Sequence, residues 1–235
     1  MSKHYDLIAI GGGSGGLSVA ERAARYQKRC AVIEPGKLGG TCVNVGCVPK
    51  KVMWYGAEIA HSLELAGDYG FSIEHKGFNW GELINKREDY INGINSWYHS
   101  YLVDSDIDEI RGHARFVDAH TLEVGGETYS ADHIVIATGG RPVTPDVPGM
   151  ELGIDSDGFF ALQQRPTRVA VVGAGYIAVE VAGVLNALGS EVSLYLRKQQ
   201  FLRPFDAMLS EGLMEQMIED GISIFPNTQV QSLEK

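Results

Sequence analysis

The 235-residue chain has only three cysteines, Cys30, Cys42 and Cys47. An odd and sparse set argues against a secreted scaffold stapled by disulfides. Long apolar runs are also missing. None approaches the roughly 20 residues that a membrane-crossing helix needs. The opening Met1-Ser2-Lys3-His4-Tyr5-Asp6 leads straight into a short apolar strand, without the apolar core or cleavage site of a leader peptide. No membrane partner is expected, and a cytoplasmic location is the default. Cations are in the minority, 20 Lys and Arg against 30 Asp and Glu, for a formal net charge of −10. That balance argues against nucleic acid as a partner, because phosphate backbones are held by basic surface. It does not exclude a small anion held by a local basic patch.

Glycine, by contrast, is abundant at 29 residues, and much of it falls in tight clusters. The length suits one large or two modest domains. Residues 5–10 predict an apolar strand stopped by Gly11-Gly12-Gly13. A helix follows, with Leu17, Ala20 and Ala24 at three- and four-residue spacing, and residues 29–33 predict the next strand. Gly11-x-Gly13-x-x-Gly16 therefore sits between a strand and a helix. There the first glycine permits a tight turn, the second leaves room for a pyrophosphate, and the third lets helix and strand approach. The phosphates would rest on free N–H groups at the helix start, around Ser14, Gly15 and Gly16. Glu34 ends the second strand. A carboxylate there accepts from a ribose diol and repels a 2′-phosphate, so this site wants FAD or NAD.

The same pattern recurs later. Residues 168–172 predict a strand, Gly173-Ala174-Gly175 a tight turn, 176–188 a helix and 191–196 a strand. Ala178 stands where the third glycine would be. At the end of that second strand come Arg197 and Lys198, with Arg203 close behind, and no acid. Such cations suit a 2′-phosphate, so the second site is expected to take NADPH. Between the two patterns, 49–65 and 80–102 predict helices. Strands are expected at 107–110, 114–117, 121–124 and 128–130, with Gly125-Gly126 as a hairpin turn, and a buried-type strand at 133–137. Residues 141–166 read as an irregular crossover. Residues 207–220 predict a helix and 223–225 a strand. The expected fold class is α/β, with two Rossmann-like, three-layer ββα/βαβ dinucleotide-binding domains, the second incomplete.

Cys42 and Cys47 lie five apart in Gly39-Gly40-Thr41-Cys42-Val43-Asn44-Val45-Gly46-Cys47-Val48-Pro49-Lys50-Lys51. On one distorted helix starting at Cys42, both sulfurs can face the same side and cycle between dithiol and disulfide. A helix N-terminus would lower a thiol pKa, and Lys50 and Lys51 could add positive charge. The alternatives are half a zinc site or two inert thiols. Zinc would need further ligands, and no second cysteine pair exists, so no metal is expected. Cys30, in a buried-type strand, reads as a small hydrophobe.

The stretch from Gly39 to Lys51 resembles the redox segment of the class I pyridine nucleotide-disulfide oxidoreductases. Gly11 to Gly16, Glu34 and Ala137-Thr138-Gly139-Gly140 match the family's flavin end. The resemblance implies FAD on residues 1–140, a crossover over 141–165, and NADPH on 166–235. It implies that Cys47 faces the flavin and that Cys42 attacks the substrate disulfide. Lys50 would lie by the flavin ring, paired with Glu180, and Tyr176, next to Ile177, would cover the nicotinamide entrance. Gly40, Thr41 and the Gly112-His113-Ala114 backbone match positions lining FAD. Within the family, the chain is most similar to members that reduce glutathione disulfide, with Ser14 and Tyr98 at positions of the substrate pocket. Glu21 departs from that pattern, standing where some such enzymes carry an arginine for a glycine carboxylate; Arg22 is the alternative cation. Trypanothione, thioredoxin and dihydrolipoamide types therefore stay open, as does a nucleotide-binding fragment without catalysis.

The family's acid is a histidine from the partner subunit of a homodimer, and none of His4, His61, His75, His99, His113, His120 and His133 resembles it. The dimerisation domain is expected to be absent, and residues 1–235 alone to show little turnover.

Overall fold

The computed structural model describes residues 3–74 and 76–235. Met1, Ser2 and His75 lie outside the described residues. The chain divides into two units: residues up to Pro49 with Glu88–Arg141, and Lys50–Arg87 with Pro142–Lys235. Among the described residues, no helix is long and apolar enough to cross a membrane.

The first unit is built on β1 (Lys3–Ile10), α1 (Ser14–Ala24), β2 (Cys30–Glu34), the short α2 (Gly40–Asn44) and the opening of α3 (Cys47–Leu65). It continues through the later part of α4 (Trp80–Asp104), then β3 (Ile107–Arg111), β4 (Arg115–Phe116), β5 (Thr121–Val124) and β6 (Glu127–Ile136). The sheet order is β3-β2-β1-β6-β5-β4. β1 pairs in parallel with β2 and β6, and β2 with β3. β5 runs antiparallel to β6 across the Gly125-Gly126 turn, and β4 antiparallel to β5. Side chains alternate across β2. Ile33 joins Tyr5, Leu122 and Tyr129 in one core, while Val32 joins Leu17 of α1 and Leu102 of α4 in another. The parallel pairing of β1 with β2 places their carboxyl ends, with their loops, at one rim of the sheet. Cys30 is fully buried and its thiol donates to the Lys28 carbonyl.

The second unit carries a parallel sheet in the order β7-β8-β9, from Arg168–Val172, Glu191–Tyr195 and Ser223–Phe225. Helices α6 (Tyr176–Ala187) and α7 (Ala207–Glu219) alternate with those strands. Both units are mixed α/β with the strand–helix alternation of dinucleotide-binding folds.

Two local expectations are corrected. The strands expected at 128–130 and 133–137 are one ten-residue strand, because β6 keeps one register with β1 on both sides of Asp132, Ala131 facing Tyr5 and His133 facing Leu7. Its end is not buried, since Ile136 is 68% exposed. The crossover at 141–166 is not wholly irregular. It contains α5 (Ser156–Ala161), capped by Asp155, whose carboxylate accepts from the Gly158 N–H at 3.0 Å. Phe159 and Phe160 of that turn are buried. The buried Arg87 guanidinium donates to the Phe160 carbonyl at 2.7 Å and lies over its ring.

Candidate functional site

In the first unit, the turn after β1 is held by a carboxylate. Glu34, at the end of β2, accepts the Gly12 N–H at 2.7 Å and the Gly36 N–H at 2.8 Å, one on each oxygen. Beyond the ribose role expected of it, Glu34 thus shapes the glycine turn, and each oxygen keeps a lone pair for a further donor. The glycines of this turn differ in what they do. A methyl group on Gly11 would lie 2.2 Å from the Ala137 carbonyl oxygen, and one on Gly16 1.8 Å from that of Gly11. Both positions are demanded by packing. A methyl on Gly13 or Gly15 would meet nothing nearer than 3.6 Å, so the fold itself does not require glycine there. Ser14, exposed, is the first residue of α1. Thr138 and Gly139 follow β6, both exposed. Gly112 is needed locally, since a Cβ would lie 2.6 Å from Val124, and Ala114 packs on the core.

The redox segment lies directly on that turn. The Gly39 N–H donates to the Gly12 carbonyl at 2.7 Å. A Cβ on Gly40 would stand 2.7 Å from Gly13 Cα, so the two backbones touch. Cys42 and Cys47 are not on one distorted helix. Cys42 is inside α2, the chain breaks at Val45-Gly46, and Cys47 opens α3. Gly46 makes this break possible, because a Cβ there would sit 2.7 Å from the Thr41 carbonyl oxygen and 3.3 Å from Cys42 Cα. The fold-back brings the two thiols close enough to interact. Burial first, and then the hydrogen bond to Cys47, push the Cys42 thiol above its ordinary pKa. The expected lowering is therefore reversed at Cys42, although it lies in the first turn of the five-residue α2. Cys47, exposed, opens the longer α3. Gly46 and the side chains of Asn44 and Asn95, which bind this loop, went unremarked in the sequence reading. Asn95 is more than forty residues away and carries no local signal.

Glu21, on α1, pairs with Arg25 and accepts a hydrogen bond from the Tyr101 hydroxyl. Arg22 stands over the Tyr26 ring. Tyr98 is half-buried and packed on the core beside Trp97.

In the second unit, Lys50 Nζ donates to Glu180 Oε1 at 2.7 Å. The two side chains are 24% and 36% exposed, so the pair is worth at most about 1 kcal/mol of stability. Lys51 does not join it, its ammonium lying over the Trp54 and Tyr55 rings. Tyr176 opens α6 and is 61% exposed, with Ile177 beside it. A methyl on Gly173 would lie 3.1 Å from the Ala178 Cβ, and one on Gly175 would meet nothing within 4 Å. Arg197, Lys198 and Arg203 lie exposed after β8. Among the described residues no group of His, Cys, Asp and Glu is arranged to hold a metal.

Residues 5–235 match the family model described as pyridine nucleotide-disulphide oxidoreductase. The chain belongs to that family. It is 46% identical to a glutathione reductase of Schizosaccharomyces pombe over 97% of its own length and 51% of the relative's. Among solved structures it resembles the HOCl-induced flavoprotein disulfide reductase RclA from Escherichia coli, with a TM-score of 0.84 and 28% identity over 97% of this chain and 50% of that one. A Cu(II) complex of the same protein aligns with a TM-score of 0.86 and 27% identity over 100% and 51% of the two chains. The chain thus spans about half the length of the relatives it matches.

The family fold binds FAD and NAD(P)H, and the residues present fit both. Helices α5 and α7 are capped by Asp155 and Asp206. The two helices that follow glycine turns, α1 and α6, have no side-chain cap and no acid in the first turn. Their N–H groups and dipoles are left for an anion.

Gly16→Ala is expected to destabilise the chain by about 2 kcal/mol or more, while Gly13→Ala costs within about 1 kcal/mol but weakens FAD binding at least tenfold. Urea unfolding and flavin fluorescence separate the two effects. Because only thiolate alkylates and Cys42 is held as the thiol, iodoacetamide should modify the exposed Cys47 first at neutral pH. The Cys42 rate should climb only above the ordinary thiol range of about 8.5, and Cys47→Ala should move that climb to lower pH.

Proposed function

We propose that this chain carries the flavin and dithiol end of an FAD- and NADPH-dependent disulfide reductase. The observation that carries this reading is the contact of Cys42 with Cys47 on a loop hydrogen-bonded to the dinucleotide turn. Bound on the first turn, FAD would supply two-electron exchange between NADPH and the cysteine pair. Gly11, Gly13, Ser14, Gly15, Gly16, Gly40 and Thr41 would hold its pyrophosphate side, and Glu34 its ribose. Thr138, Gly139, Gly112 and Ala114 would line the rest. Gly173, Gly175 and Ile177 would receive NADPH, with Arg197, Lys198 and Arg203 on its 2′-phosphate. Tyr176 would guard the nicotinamide, and the Lys50–Glu180 pair would hold charge for the flavin.

The cysteine chemistry balances as thiol–disulfide exchange. The Cys42 thiolate attacks one sulfur of the substrate disulfide, forming a mixed disulfide and releasing one thiolate, which takes up a proton. The Cys47 thiolate, its proton lost to solvent, then attacks Cys42, closing the Cys42–Cys47 bond and releasing the second thiolate, which also takes up a proton. Cys42 must lose its proton first, and its raised pKa makes that step depend on a base. Glutathione disulfide is the substrate favoured by the 46% identical relative, in an enzyme working as a homodimer.

A second reading, a reductase for a different disulfide, is favoured by Glu21. Its carboxylate is already occupied by Arg25 and Tyr101 and offers no cation to a peptide carboxylate.

The test is spectroscopic. The FAD-loaded chain, reduced by two electrons, should develop a long-wavelength charge-transfer absorbance that Cys47→Ser abolishes. A band of equal strength in Cys47→Ser, or none in either protein, contradicts the reading. Rates with glutathione disulfide, trypanothione disulfide and thioredoxin then separate the substrates.

A further inference from the structure

Asn95 of α4 is buried, at 8% exposure, and spends its amide on the redox loop. Both of its N–H bonds are used: Nδ2 donates to the Leu38 carbonyl at 2.8 Å and to Asn44 Oδ1 at 3.1 Å. Asn44, thus oriented, donates from its own Nδ2 to the Leu38 carbonyl at 3.0 Å and to the Gly40 carbonyl at 2.9 Å. These bonds staple α2 on both sides of Cys42. Asn44 lies two residues after Cys42 and three before Cys47, on the segment whose fold-back joins the thiols.

Stability alone does not explain an asparagine at 95. Its Oδ1 is the one buried side-chain N or O atom without a hydrogen-bond partner among the described residues. A buried acceptor left unpaired is costly, whereas an apolar side chain of similar volume would carry no such cost. Turning the amide over would set its oxygen against the Leu38 carbonyl and Asn44 Oδ1, both acceptors. The side chain therefore accepts an unpaired oxygen in order to place two donors on the loop.

We propose that Asn95 is a positioning residue for the cysteine pair. Through Asn44 and Leu38 it fixes where Cys42 stands relative to Cys47, and so sets how readily the two close into a disulfide. This rests on the reading of Cys42 and Cys47 as a redox pair. Holding two groups in reacting geometry raises their effective concentration; releasing α2 lowers it and makes the disulfide easier to reduce.

The experiment equilibrates the chain with buffers of reduced and oxidised glutathione. In these, Cys42 and Cys47 give up two electrons and two protons to one glutathione disulfide, yielding their own disulfide and two glutathione thiols. The fraction closed is read by alkylation and mass spectrometry. Asn95→Ala should lower the closure equilibrium about tenfold, a rise of about 30 mV in reduction potential. Asn44→Ala, at a half-buried position, should do the same, and the double variant should equal either single one because both act through one staple. A merely structural loss would change urea unfolding without moving the potential. Wild-type potential in Asn44→Ala, or two effects that multiply in the double variant, overturns the proposal. If the unsubstituted chain forms no Cys42–Cys47 disulfide in any buffer, the redox reading itself fails, which is a different outcome.

Discussion

The hydrogen bond from the Gly39 N–H to the Gly12 carbonyl, with Gly40 lying against Gly13, is the constraint on which the candidate site depends. It joins two stretches whose chemistry is separate, a phosphate-type turn and a thiol pair, into one backbone piece. A Cβ on Gly40 would part the two loops, whereas one on Gly13 would fit the fold and instead fill the space left for a phosphate. Glu34 steadies the same piece from the other side by accepting the Gly12 and Gly36 amides. The position of the sulfurs is therefore set by main-chain contacts and by the short side chains of Asn44 and Asn95 rather than by long, mobile ones. Such contacts tolerate little displacement, as a group that must meet a reacting partner requires.

Electrostatics divides the work between the two thiols. Cys47 has exposure and a helix N-terminus; Cys42 has burial and a hydrogen-bonding neighbour that favour its neutral form. The pair is thus asymmetric before any ligand arrives, which suits a relay in which the two sulfurs perform different steps. In the second unit the Lys50–Glu180 pair contributes little to stability at its degree of exposure. Its interest lies in the charge it holds at the start of α6, beside a glycine turn with uncapped N–H groups.

Much of this was legible in the residues themselves. Gly11 to Gly16 and Gly173 to Gly175 announce their turns because strand period, glycine spacing and helix period change in register. The cysteine pair is visible from its spacing and flanking glycines. What was hidden depends on contacts between distant positions. The break at Val45-Gly46 follows from Gly46 packing on Thr41 and Cys42, and a five-residue spacing alone is equally compatible with one distorted helix. The direction of the Cys42 pKa follows from burial, which spacing does not report. Asn95 looks like one polar residue on a long amphipathic helix, and only the fold brings it to Leu38 and Asn44. The continuity of β6 was masked by Ala131 and Asp132, a small and a charged residue between the two expected strands, which pattern alone assigns to a break.

Amide hydrogen exchange with and without FAD tests the central claim most directly, since it asks whether the phosphate turn and the redox loop respond as one body. The account predicts that saturating flavin slows exchange at residues 11–16 and 38–44 together, by similar factors. Protection confined to the glycine turn, with the cysteine loop exchanging as before, would contradict it.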